Sequence, residues 1–434
     1  MTDGGELKRT LGPLLIWGLG VGYVISGMYF GWNLGLPEGG PYGMLAATAA
    51  VTVFYLAFVF GYAELACALP RAGGVFVYAS RAFGPSVGFV GGLAQLIEYM
   101  LAPPAIAFAI GSYVHQVADG VPVWAAAAAI YLVFTAINIV GVRLSVAFEL
   151  VLTVLAILEL CVFGVVVLPH FSWQAFSQDA LPHGWGGAFA ALPFALWFYL
   201  GIEGMANVAE DAKSPQRDLP RGALTAMATL VVLTVLTLFG AVGAAGWQAV
   251  GNSDSPLPMA ISQVVERGGT LFEVLTGVGL VGLLASFQGI LIAASRAILE
   301  MGRARYVPAV LGTVNPRTNT PVAALLANLV VGLIALATST TNDIVLVTVF
   351  GALTLYVLSS AAVIALRRRE PELARPYRAP LYPVTPVVAL VLALVCVAAM
   401  VWTYPIHAAV YAGALVVGYG LFAALVPVEK RARF

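Results

Sequence analysis

The chain has 434 residues, of which 61% are hydrophobic and 10% charged; its 21 basic and 21 acidic side chains give a formal net charge of +0. Its mean hydropathy is +0.94. Soluble domains carry about 25% charged residues, so this composition excludes a soluble enzyme or a nucleic-acid-binding domain and is that of an integral membrane protein.

Apolar segments long enough to cross a bilayer, roughly 20 residues each, fall at 14–36, 43–69, 86–117, 121–141, 145–168, 187–211, 221–247, 271–299, 320–338, 343–366, 385–403 and 405–427. They predict twelve spans. The first ten residues are mostly polar and lead into a full-length span with no small-residue cleavage pattern, so no removable signal peptide is expected. With both termini cytoplasmic, every basic residue except Arg267 falls on the inner side or near it, from Lys8 and Arg9 to Lys430, Arg431 and Arg433. That asymmetry sets the expected topology, in the cytoplasmic membrane of a bacterium.

Span 1 holds Val24-Ile25-Ser26-Gly27-Met28-Tyr29-Phe30-Gly31-Trp32, with a hydroxyl, two glycines and three aromatic residues where leucine and valine would serve. In hydrocarbon a helix is interrupted only where the freed backbone groups are buried in protein or serve a ligand. Ser26-Gly27 and Gly31 suit such an interruption, so span 1 is expected as two half-helices. Span 6 repeats the signal in Phe194-Ala195-Leu196-Trp197-Phe198-Tyr199-Leu200-Gly201-Ile202-Glu203-Gly204, where two glycines flank an acid at mid-membrane depth. Spans 1 and 6 open two successive sets of five, and glycine-interrupted segments at corresponding positions of two halves point to the binding site of an inverted-repeat transporter.

The outer connections at 169–186 and 248–270 combine aromatic and turn residues, as short interfacial helices would. The inner stretch 367–384, RRREPELARPYRAPLYPV, reads as a basic, proline-rich connector whose charge holds the topology, with binding of anionic membrane lipids as the alternative. Cys67, Cys161 and Cys396 lie in separate apolar runs without paired or metal-ligand spacing and read as free thiols. His115, His170, His183 and His407 likewise show no ligand spacing. With no nucleotide loop or nucleophile motif, no catalytic residue, metal or cofactor is expected, and the chain is not read as an enzyme. A channel needs a continuous polar pore, and two broken helices favour a closed central site instead. A sensor would need an appended domain, and none is visible.

Four pieces resemble the amino acid–polyamine–organocation transporter superfamily: VISG in span 1, AELACALPRAGGVFVYASRAFGP at 63–85, GVR at 141–143 and AEDAKSPQRDLPRG at 209–222. Within it, ISGMYFGW, IEYMLAPPAIAFAIG at 97–111 and FYLGIEG are most similar to ethanolamine permeases. The resemblance implies an all-α, five-plus-five inverted-repeat (LeuT-like) fold with broken helices 1 and 6. Residues 1–168 would form the first repeat, 169–366 the second, and 367–434 a basic linker with two extra spans. It implies alternating access around a central site, importing a small amine, with ethanolamine as best guess; an amino-acid permease is the alternative.

The expected substrate site comprises Ser26, Gly27, Met28, Tyr29, Phe30, Trp197, Phe198, Tyr199, Gly201 and Glu203. Amino-acid carriers of this superfamily present bare backbone N–H groups of span 1 to a carboxylate; here the Met28 side chain is expected to crowd that cradle. An acid commonly stands at the Met28 position in ethanolamine permeases, so the exact substrate stays open. Glu203, costly in a membrane unless paired or hydrated, suits a substrate ammonium, with aromatic faces assisting; alternatively it accepts bonds from the unwound backbone of span 1. Glu64, Glu98, Glu149 and Glu159 are further acids in or near spans. The lysine that some proton-coupled relatives carry in span 5 aligns with Ala156, which leaves Glu159, with Glu98, as candidate proton-coupling groups; an inter-helix hydrogen bond is the alternative. One hydroxyl, Ser295, in the relevant part of span 8 makes a sodium site look depleted, and uptake driven by the membrane potential also remains open. Arg71, Glu210, Asp211 and Lys213 form the expected cytoplasmic gate, against the simpler reading of solvated loop charge.

Overall fold

A computed structural model describes residues 11–71, 73–140, 145–266, 269–427 and 431, with 145–147 and 210 described by backbone alone. Lys8, Arg9, Arg143, Arg267, Lys430, Arg433 and the Glu210 side chain, all part of the charge and gate expectations, lie outside it.

Among the described residues the regular structure is helical. Ten helices are long and apolar enough to cross a membrane, and two shorter apolar ones, Pro13–Tyr29 and Val322–Thr338, complete the set. Span 1 is Pro13–Val24 continued by Ser26–Tyr29, then Trp32–Gly35 and the first residues of the helix Leu36–Ala68. That helix contains Gly40 in a non-helical conformation (φ 62, ψ −178) followed by Pro41. Residues 32–39 therefore finish span 1, and the remainder is span 2. Spans 3, 4 and 5 are Pro85–Val117, Val123–Val140 and Ser145–Val167; span 6 is Gly184–Trp197 with the 3-10 stretch Ile202–Asp211. Spans 7 to 12 are Pro215–Ala245, Thr270–Arg303, Val322–Thr338, Thr341–Arg369, Val384–Thr403 and Pro405–Leu425. Short helices occupy the 2–3 connection (Val75–Phe83) and the connections expected to hold them (Trp173–Ser177, Trp247–Gly251, Pro256–Ile261).

The packing repeats with a period of five spans. Span 1 lies on spans 5 and 7 as span 6 lies on spans 10 and 2; span 3 packs on 4 and 10 as span 8 packs on 9 and 5. Spans 2 and 7, 3 and 8, and 4 and 9 each pack on one another. Span 11 lies on spans 2, 6 and 10, and span 12 on spans 3 and 10, outside that pattern.

Leu11 forms a parallel bridge with Ala212, so the start of the described chain and the 6–7 connection share one face, called the terminal face below. Every described Lys and Arg lies at or near it. The four most exposed tryptophans, Trp124, Trp173, Trp185 and Trp402, sit at helix ends toward the other face, where interfacial indoles are expected.

Prolines inside spans free carbonyls that the fold must answer. Pro103 in span 3 has no N–H for the carbonyl of Tyr99, and Asn328 Nδ2 of span 9 donates to that oxygen at 3.2 Å. Asn328 Oδ1 in turn accepts from the Tyr131 hydroxyl of span 4 at 2.6 Å. Span 4 is tied to span 8 by two amides, with Asn138 Nδ2 donating to Gln288 Oε1 at 2.8 Å and Gln288 Nε2 to Asn138 Oδ1 at 3.1 Å. Spans 3, 4, 8 and 9 thus form a block cross-linked by buried amides. Replacing Asn328 by Leu leaves the Tyr99 carbonyl unpaired and the Tyr131 hydroxyl with only its longer bond to the main-chain carbonyl of residue 328, at 3.4 Å, and is expected to cost about 1–3 kcal/mol. Thermal unfolding of the purified protein in detergent checks this; an unchanged melting temperature would refute the role assigned to Asn328.

Candidate functional site

Spans 1 and 6 lose their helical hydrogen bonds side by side. Span 1 was expected to open at Ser26-Gly27, but Ile25 keeps helical angles (φ −61, ψ −23), and Met28 N–H and Phe30 N–H still reach the carbonyls of Ile25 and Ser26, at 3.0 and 3.2 Å. The chain leaves the helix one turn later, at extended Phe30 (φ −164, ψ 174) and left-handed Gly31 (φ 87). Span 6 turns at Gly201 (φ 103) and resumes as Ile202–Asp211. Such angles favour glycine. Gly27 instead permits contact, since a Cβ there would run into the carbonyl of Trp197 and stand 3.2 Å from Phe198 Cα.

The freed backbone groups find partners in the side chains that made the segment look odd. Trp32 Nε1 donates to the Met28 carbonyl at 3.1 Å, and the Tyr113 hydroxyl of span 3 donates to the Tyr29 carbonyl at 2.9 Å. Gly31 N–H donates to Asn33 Oδ1 at 3.1 Å, while Asn33 Nδ2 donates to the carbonyls of Val250 and Ser253 at 2.9 and 2.8 Å. The Ser286 hydroxyl of span 8 reaches the Tyr23 carbonyl and Ser26 Oγ, each at 2.8 Å. Phe30 meets Trp197 edge-on at 5.5 Å, and Trp32 stacks on Phe198 at 5.2 Å.

The other expected residues spread over two neighbouring places. Met28 does not crowd the break as expected: Thr234 Oγ1 of span 7 lies 3.6 Å from its Sδ, so the thioether is turned toward span 7. Tyr199 pairs with Thr52 of span 2 at 2.7 Å, and the Tyr29 hydroxyl donates to Glu159 Oε2 at 2.6 Å. Glu203 does not take its bond from span 1. It accepts from the Tyr356 hydroxyl of span 10 at 3.0 Å, and Tyr356 pairs with Tyr55 at 2.9 Å. The carboxyl group of Glu98 faces that of Glu203. Both residues are 0% exposed, and no described donor reaches either oxygen of Glu98 or Oε1 of Glu203. The nearby hydroxyl of Tyr62 is also unpartnered among the described residues. The cavity beside Glu203, lined by Phe58, Tyr62, Met205 and Leu219, measures about 20 Å³. That is room for about one water, so the site is closed.

On the terminal face Asp211 pairs with Arg296 of span 8, whose guanidinium also donates to the Asn207 carbonyl at 3.4 Å. Gln95 of span 3 donates to Asn207 Oδ1 at 3.3 Å. The Leu11 N–H donates to the Asp211 carbonyl at 3.0 Å, and Lys213 N–H to the Leu11 carbonyl at 2.8 Å. The partner of Asp211 is thus on span 8, while the side chains of Arg71 and Lys213 are exposed. Glu64 is held apart from the centre, taking two bonds from Arg367 (2.8 and 2.5 Å) and one from Ala379 N–H (2.7 Å).

Residue reasoning missed Tyr356, Ser286 and Gln95, because nothing local marks a tyrosine, serine or glutamine whose partner lies more than a hundred residues away. Glu149, expected nearer the inner interface, is 0% exposed, with both oxygens unpartnered among the described residues. It is close enough that a Cβ on Gly22 or Gly289 would stand 2.5 or 2.7 Å from its Oε1. Neither its full burial nor its unpaired state was legible from span 5.

A sequence model of the amino acid permease family matches residues 13–426. An uncharacterized transporter of Rhizobium meliloti is 31% identical over 402 residues, covering 89% of this chain and 85% of its own length. The branched-chain amino acid permease BcaP of Bacillus subtilis is 26% identical over 428 residues, covering 92% and 89%. A methylthioribose transporter of the same organism is 26% identical over 420 residues, covering 88% and 87%. With a broken pair of central helices and this match across nearly its whole length, the chain belongs to the amino acid permease family and is a multi-pass membrane transporter, not an enzyme.

Proposed function

We propose that the protein is a secondary transporter that imports a small solute bearing an ammonium group, with ethanolamine as the first substrate to test. The observation that carries this reading is the facing pair Glu98 and Glu203. Two carboxylates cannot occupy such a space with both ionised unless a cation lies between them, and no described Lys or Arg reaches them. The tyrosines around the pair, Tyr55, Tyr62, Tyr99 and Tyr356, supply hydroxyl acceptors and aromatic faces; a desolvated cation gains about 0.5–2 kcal/mol from a good face. Substrate would enter where Phe30, Trp197 and Phe198 now close over the breaks. The membrane is the cytoplasmic membrane of a bacterium, with the terminal face inward because it holds the basic residues. Residues 1–168 and 169–366 act as the two repeats, and spans 11 and 12 with the 367–384 linker stand outside them.

A second reading, an amino-acid permease, rests on Met28. Its side chain lies toward Thr234 and so removes the steric argument against a carboxylate near Gly27; the similarity to a branched-chain amino acid permease points the same way.

Uptake of radiolabelled ethanolamine into proteoliposomes, challenged with excess unlabelled amines and amino acids, separates the two. Competition by amines and loss of saturable uptake by at least about tenfold in Glu203→Gln, the equivalent of about 1.4 kcal/mol or more, is the expected result. Competition by zwitterions alone gives the second reading, and unchanged kinetics in Glu203→Gln removes the carboxylate from the site.

Alternating access requires the terminal-face ties to open. In Arg296→Gln, a cysteine placed at Ser26 is expected to react with a membrane-impermeant thiol reagent from that face about tenfold faster, the factor that about 1.4 kcal/mol of lost closed-state preference gives. Equal labelling rates in the parent and Arg296→Gln would mean that the Asp211–Arg296 pair does not hold the gate.

A further inference from the structure

Glu159 is the buried acid whose hydrogen bond runs directly to the broken segment of span 1. Its Oε2 accepts from the Tyr29 hydroxyl at 2.6 Å, and the same hydroxyl lies 3.2 Å from the carbonyl of Ala156, one turn earlier on span 5. Tyr29 is 0% exposed and Glu159 4%. Tyr29 is the last helical residue before Phe30 and Gly31, so the bond grips span 1 at the point where its helix ends.

The ring has one seat. It lies over span 8 at Gly282, where a Cβ would stand 2.5 to 2.7 Å from Cε2, Cζ and the hydroxyl oxygen. Its carbonyl takes the bond from Tyr113 described above. The groups that face Glu159 are few: Tyr29 from span 1 and Tyr113 from span 3. Spans 7 and 8, also packed on span 5, bring no charged side chain to it. The charge on this carboxylate therefore acts chiefly on Tyr29.

We infer that the Glu159–Tyr29 bond is a proton-operated latch on span 1. With Glu159 ionised the bond is charge-assisted, roughly twice as strong as a neutral one, and residues 26–31 are held against spans 5 and 8. Proton uptake by the carboxylate neutralises the acceptor and frees the segment to move; proton release resets it. The latch rests on the transport reading above and gives solute movement a proton partner, with Tyr29 as a positioning residue.

The test has two arms, both on the full-length protein in lipid. In the first, without any solute, amide hydrogen exchange of residues 26–31 is followed across pH after correction for intrinsic exchange. The parent protein is expected to exchange about tenfold faster once Glu159 is protonated, the effect of losing about 1.4 kcal/mol of hold. Glu159→Gln, which keeps the shape and an acceptor oxygen, and Tyr29→Phe, which removes only the donor, are expected to exchange fast at every pH. A pH response in Glu159→Gln equal to that of the parent, or slow exchange in Tyr29→Phe with an unchanged melting temperature, overturns the latch. In the second arm, Glu159→Gln is expected to retain solute exchange at equal pH on both sides and to lose acceleration by an inward proton gradient. Full gradient dependence in Glu159→Gln also overturns it. If no amine or amino acid is taken up even by the parent, the substrate reading fails while the first arm still decides the latch.

Discussion

The rest of the structure depends on one constraint, that a peptide group opened inside hydrocarbon must find a partner within the protein. Spans 1 and 6 open at Phe30–Gly31 and at Gly201, and what surrounds them is a set of answers. Trp32 caps Met28, Tyr113 caps Tyr29, Ser286 caps Tyr23, and the Tyr55 hydroxyl reaches the carbonyl of Leu196 at 3.2 Å. Span 3, through its proline pair, poses the same demand and is answered by Asn328. Polar and aromatic side chains thus stand where a plain membrane helix would carry leucine.

The acids follow a second rule, that a buried carboxyl group needs a proton, a cation or donors. Glu64 has donors, two from Arg367 and one from the main chain. Glu159 has the Tyr29 hydroxyl. Glu98 and Glu203 have chiefly each other and Tyr356. This ordering separates acids that the fold supplies with donors from acids that it does not better than depth does, because all four lie in or near spans and only their partners differ.

Two sets of ties close the molecule on both faces. On the terminal face Asp211, Arg296, Asn207 and Gln95 join spans 3, 6 and 8. On the other, Asn33 binds the 248–253 segment, and Gln116 of span 3 donates to Ser255 Oγ at 3.2 Å. The block of spans 3, 4, 8 and 9 carries its own amide cross-links. Spans 11 and 12 lie outside these ties, span 11 against spans 2, 6 and 10 and span 12 against spans 3 and 10.

Hydropathy and chain length determined the class and the number of spans, and the placement of glycines and an acid within two of them marked the segments that break, because lipid admits few kinds of backbone and a glycine-rich acidic stretch in mid-membrane has few structural explanations. The family was legible in the same residues. What only the tertiary structure decided was which faces of those helices meet. It set the break at Phe30–Gly31 instead of Ser26-Gly27, turned Met28 to Thr234, gave Asp211 to Arg296 and placed Glu98 against Glu203. Each of these outcomes joins residues on different spans or depends on such a neighbour. A helix presents side chains all round its circumference, and the local pattern, apolar on nearly every side in a membrane chain, does not mark which one will find a partner.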